Sequence, residues 1–108
     1  MNQTQRTIRQ FEGTFAGKAL KNDGRQAGGR FAELSGPALG VALKLPTAHP
    51  SACQRIRRAA QTAFIDYTSA RPTLGLCPSD LLAVRLWTGA FEEGVMTRSE
   101  SPTSLRAG

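Results

Sequence analysis

Hydrophobic positions are densest between Leu81 and Phe91. There Leu81, Leu82, Ala83, Val84, Leu86, Trp87, Ala90 and Phe91 cover most of a helical circumference, and Arg85, Thr88, Gly89 and Glu92 leave only a narrow polar seam. A helix apolar on nearly every side has to be covered on nearly every side. Ser79 is suited to cap its start, Asp80 to sit at the positive end of its dipole, and Gly94 to terminate it after Glu93. Either it is the central core helix, packed on the sheet and the first helix, or a second copy of the chain covers one side as a homodimer, in which case Leu82, Leu86, Trp87 and Phe91 are the candidate interface residues.

A second stripe precedes this one. Cys53, Ile56, Ala60, Ala63, Phe64 and Tyr67 recur at helical spacing, while Arg55, Arg58 and Thr62 project from the opposite side. Pro50 suits the first turn, where a missing N–H costs nothing, and Arg71 before Pro72 closes the helix. Thr73 to Pro78 make the connecting loop.

The pattern from Ile8 to Leu45 is mixed. Ile8, Phe11, Phe15 and Ala19 fit a helical stripe, but Gly13 and Gly17 would together cost a helix about 2 kcal/mol relative to alanine, whereas in a strand they mark bulges or bends. Asn22, Asp23 and Gly24 form a tight-turn signal, so part of Thr14 to Lys21 pairs with part of Arg25 to Leu34. Ser35, Gly36 and Pro37 turn the chain again into the short apolar run Gly40 to Leu45. The pattern therefore predicts an α+β fold, an N-terminal antiparallel β-meander of about three strands packed against two C-terminal helices. Residues 7–96 form one domain, and the polar ends, 1–6 and 97–108, are expected to be disordered.

At 108 residues the chain has room for a single core, built mainly from aliphatic side chains because only 6% of residues are aromatic. Its net charge of +6 comes chiefly from arginine, whose planar guanidinium pairs bidentately with phosphates and carboxylates. Residues 1–30 carry Arg6, Arg9, Lys18, Lys21, Arg25 and Arg30 against only Glu12 and Asp23. Such asymmetry points to a polyanionic partner, DNA or RNA. Arg25 and Arg30 bracket a run of small residues able to lie close to a phosphate backbone, and Arg55, Arg57 and Arg58 form the densest basic cluster, with Gln54 and Thr62 beside it. These five arginines are the candidate nucleic-acid contacts of a small, non-enzymatic accessory or regulatory protein. The same face also suits an acidic protein surface, so an interaction module of the inhibitor or adaptor kind that phages and plasmids encode is the alternative.

Catalytic chemistry finds little footing. His49 is the only histidine and stands beside no recognisable nucleophile, and Glu92 and Glu93, being adjacent, diverge by about 100° on a helix. No catalytic residue is assigned. His49, Cys53, Cys77 and Asp80 lack the paired spacing of a zinc site, and Gly13, Gly17 and Lys18 have neither the spacing nor the following Ser or Thr of a phosphate-binding loop. No metal and no cofactor are expected. Two cysteines are too few for a secreted disulfide scaffold, the first residues do not resemble a signal peptide, and no run is long enough to span a bilayer. A cytoplasmic location with no membrane partner is the resulting expectation.

Overall fold

Thr14 is where the chain departs from the expected hairpin. Its hydroxyl donates to the Phe11 carbonyl at 2.6 Å and accepts from the Gly17 N–H at 3.0 Å, which is N-cap geometry. The structure is a computed structural model describing residues 3–36 and 38–100. From Thr14 a helix runs without a break through the whole glycine-rich stretch. In order, the described chain forms α1 (Gln3–Glu12), α2 (Phe15–Ser35), α3 (Ala38–Lys44), α4 (Pro50–Ala70), a short 3₁₀ turn (Pro72–Leu74) and α5 (Leu81–Glu100). The architecture is all-helical, and no strand occurs among the described residues, so the expected α+β fold with its β-meander is wrong.

The physical reason lies in what the glycines touch. Four glycines inside α2 cost about 4 kcal/mol of intrinsic helix propensity. Gly17, Leu20, Gly24, Gly28 and Ala32 nonetheless form its buried stripe, and the missing side chains let α5 approach to backbone contact. A Cβ on Gly28 would lie 2.0 Å from the Phe91 carbonyl oxygen, and one on Gly94 would lie 2.0 Å from the Arg25 carbonyl oxygen. The two helices are therefore notched into each other reciprocally. Gly17 does the same one turn into α2, where a Cβ would meet the Phe11 carbonyl oxygen at 1.9 Å, and this brings α2 tightly under the end of α1.

Gly94 consequently does not stop α5, which continues to Glu100. Its start is also set one residue later than the sequence implies. Asp80, rather than Ser79, supplies the cap, with Oδ1 accepting from the Ala83 N–H at 3.4 Å and its carbonyl accepting from Val84 at 2.9 Å. The helices also take in Gln3 to Arg6 and residues 97–100, which polarity alone assigned to disordered ends; residues 1, 2 and 101–108 lie outside the described part.

The α4 boundaries follow the sequence closely, with Pro50 in the first turn and the end at Ala70, just before Arg71 and Pro72. Around α5 sit α1, α2, α3 and α4, and Ala83, Leu86, Trp87, Ala90, Phe91 and Val95 are all buried. An aromatic cluster joins the layers: the Trp87 ring lies 4.9 Å from Tyr67 and 5.8 Å from Phe64, and Phe31 lies 5.7 Å from Phe91. The Trp87 indole N–H donates to the Ala60 carbonyl at 2.9 Å, tying α5 to α4. The cysteines are both free: Cys53 Sγ bonds the Ala42 carbonyl, and Cys77 is exposed.

Thr14→Ala should cost about 1 kcal/mol, the usual value of an N-cap hydroxyl, and Thr14→Ser should cost markedly less. Urea denaturation of the two variants measures the difference.

Candidate nucleic-acid interface

Only one flank of α4 is used by the core, where Ile56, Ala60, Phe64 and Tyr67 are buried. Successive residues turn by about 100°, so the side chains at Gln54, Arg55, Arg58, Gln61 and Thr62 all point the other way, and all are exposed. Arg55 and Arg58 stand about one turn apart on this face and form no ion pair among the described residues. Arg57 is exposed too, but it is rotated toward α5. There it faces Glu92, whose carboxyl is raised above its ordinary pKa by partial burial, with the Arg57 charge acting in the opposite sense.

The α2 arginines have other surroundings. Arg25 pairs with Glu93 of α5 at 2.9 Å, and near the far end of the same groove Arg98 pairs with Glu33. These bridges clasp α2 to α5 along a groove of about 360 Å³, where Arg30, Gln26 and Thr97 complete the wall. Arg25 is thus partly consumed by a neighbour, whereas Arg30 is exposed at the junction of this groove with a second cleft between α2 and α4. The structure therefore brings Arg55 and Arg58 together on one face, sets Arg57 at its edge, and leaves Arg25 and Arg30 on a different helix.

Of the interface candidates, Leu86, Trp87 and Phe91 lie inside the chain's own core and Leu82 is half-buried. The large apolar side chains that are exposed belong elsewhere, with Leu34 at 89%, Phe15 at 81% and Leu81 at 77% the most open. Phe15 and Leu34 stand at opposite ends of α2 and Leu81 begins α5, so they are scattered singly, an arrangement common on monomer surfaces.

Arg98, Arg71, Tyr67, Asp23 and Asp66 all line clefts and were not among the candidate site residues read from the sequence. For Arg98 a signal existed: it follows Gly94 by one helical turn, which is visible once the helix is known to pass through that glycine. For the others the defining neighbours are remote in sequence.

No group of histidine, cysteine and carboxylate side chains able to hold a metal ion occurs among the described residues, and no described helix is long and apolar enough to cross a membrane. The chain matches no protein-family profile, and comparison with curated proteins and with solved structures gave no match.

Proposed function

We propose that the chain is a small, non-enzymatic nucleic-acid-binding protein of the cytoplasm that grips the phosphate backbone along the outer face of α4. The observation that carries this reading is the pairing of Arg55 and Arg58 on an exposed helical face, with Gln54, Gln61 and Thr62 around them and no carboxylate partner among the described residues. Free guanidiniums on a rigid helix, backed by a net charge of +6, are positioned for phosphate oxygens, and the adjacent amides and hydroxyl can add hydrogen bonds to sugar or base edges. With few exposed aromatic rings, binding rests on charge rather than base stacking.

Such contacts release counterions, so affinity should fall steeply with salt. In fluorescence anisotropy titrations with a labelled duplex and a labelled single-stranded RNA, binding should be readily measured at low salt and be largely lost by 200 mM, about the range over which phosphate contacts are screened. Arg55→Gln combined with Arg58→Gln should reduce the slope of log affinity against log salt by about 2, one unit for each phosphate contact removed. Absence of binding at low salt, or an unchanged slope in the double variant, would sink the proposal. In that case the same arginines, docking on an acidic protein surface, become the reading to pursue.

A further inference from the structure

The cleft between α2 and α4 holds charges that neither the core nor the outer face of α4 uses. It is open to solvent, with a volume of about 290 Å³, and has Asp23 and Arg30 on the α2 side, Asp66 and Arg71 on the α4 side, and Tyr67 and Trp87 beneath. Two carboxylates and two guanidiniums thus face one small volume, and among the described residues none of the four is ion-paired with another. By contrast, Glu12, Glu33 and Glu93 each hold a basic partner.

The floor of the cleft adds a second, independent observation. Tyr67 is only 6% exposed, and its hydroxyl lies against the Asp23 carboxylate without completing a hydrogen bond of normal geometry. Buried polar atoms nearly always make well-formed hydrogen bonds, so a hydroxyl at a cleft that only approaches a carboxylate has room for a further partner. Burial, and then the Asp23 carboxylate through both its charge and its hydrogen-bonding approach, raise the phenol's pKa, with Arg71 acting against them, so at neutral pH the group is a protonated donor. Arg71 is itself held in place, its guanidinium carbon lying 4.3 Å from the centre of the Tyr67 ring.

We propose that this cleft binds a small zwitterion carrying both a carboxylate and an ammonium group, a free α-amino acid or a compound of that kind. Arg30 and Arg71 receive the carboxylate, Asp23 and Asp66 receive the ammonium, and the Tyr67 hydroxyl hydrogen-bonds to the bound molecule. The charge balance selects this class. A polyanion would meet Asp23 and Asp66, and a simple cation would meet Arg30 and Arg71, so only a ligand with both signs satisfies all four. The volume, at the small end for ligand pockets, matches a molecule of amino-acid size.

The site has a built-in reporter, because Trp87 is the only tryptophan and its indole N–H is held by Ala60. Proton–nitrogen NMR would follow that resonance during titration of the intact chain with glycine, L-glutamine and L-phenylalanine. Phenylpropionate and phenethylamine serve as the two singly charged halves of phenylalanine, and inorganic phosphate as the anion control. At least one amino acid should shift the indole signal saturably, and each half-molecule should bind at least about tenfold more weakly, as expected when one ion pair is lost. Asp66→Asn and Arg71→Gln, both at exposed positions where folding should survive, should each weaken that amino acid by about tenfold as well. The proposal is overturned if no amino acid shifts the signal, if a half-molecule or phosphate binds as tightly as the zwitterion, or if both folded variants bind it unchanged.

Discussion

Gly28→Ala and Gly94→Ala should each destabilise the fold by about 3 kcal/mol, the upper end of the range for overpacking a tight interface. In both cases a single added methyl would stand 2.0 Å from a carbonyl oxygen of the facing helix, Phe91 for Gly28 and Arg25 for Gly94. Backbone cannot rotate aside as a side chain can. The only relief is to separate α2 from α5, which pulls apart the most extensive helix pair in the molecule and exposes its core. Gly89→Ala is the matching control on α5: its Cβ would meet nothing within 4 Å, and the position is exposed. That substitution should stabilise by about 0.5–1 kcal/mol, because alanine gives up less backbone freedom in a helix than glycine. Urea denaturation followed by far-UV circular dichroism would read all three. Equal effects at Gly89 and Gly94 would show that the glycines act through propensity alone and that the close approach of α2 and α5 is absent.

Trp87→Ala should cost about 3–5 kcal/mol, enough to unfold a large share of molecules of a small domain at room temperature. The ring is 2% exposed, packs at a tilt against Phe64 and Tyr67, and donates a hydrogen bond to the Ala60 carbonyl, so truncation leaves a cavity where α2, α4 and α5 meet. Trp87→Phe retains an aromatic body and loses the indole N–H and some volume, so its cost should be smaller, about 1–2 kcal/mol. Thermal or urea unfolding monitored by circular dichroism suits this pair, since both variants lack the fluorophore. A Trp87→Ala protein as stable as the parent would mean that the ring is not in the core and would remove the basis for reading it as a reporter of the α2–α4 cleft.

The candidate sites divide between what periodicity reveals and what it hides. Arg55 and Arg58 could be placed on a solvent face because Ile56, Ala60 and Phe64 already point to the core, and a helix allows only one geometry for the remainder. The fate of Arg25 could not be read this way. Its partner, Glu93, lies on another helix, and nothing local distinguishes a guanidinium that is held from one that is free. The α2–α4 cleft is further from view, since Asp23 and Asp66 share it only because α2 and α4 both lean on α5. Asp23 itself stands in the run Asn22, Asp23, Gly24, whose turn chemistry is real in isolation and is overridden here by packing.

The sequence by itself determined that residues 50–70 and the apolar run from Leu81 form amphipathic and buried helices, because side-chain periodicity and end signals are local properties that survive any tertiary arrangement. It also determined that the surface is basic. Only the tertiary structure decided the fold class, and it did so through the glycines. Local propensity penalises a glycine in a helix by the same amount wherever it stands, and on that basis Gly17, Gly24 and Gly94 read as a bend, a turn and a stop, and Gly28 as part of a run of small residues. Their packing gain depends instead on what the facing backbone places against them. Gly28 meets Phe91, and Gly94 meets Arg25, across more than half the chain. Close contact between α2 and α5 outweighs the local penalty, so the basic hairpin read from the sequence is a helix notched into the core.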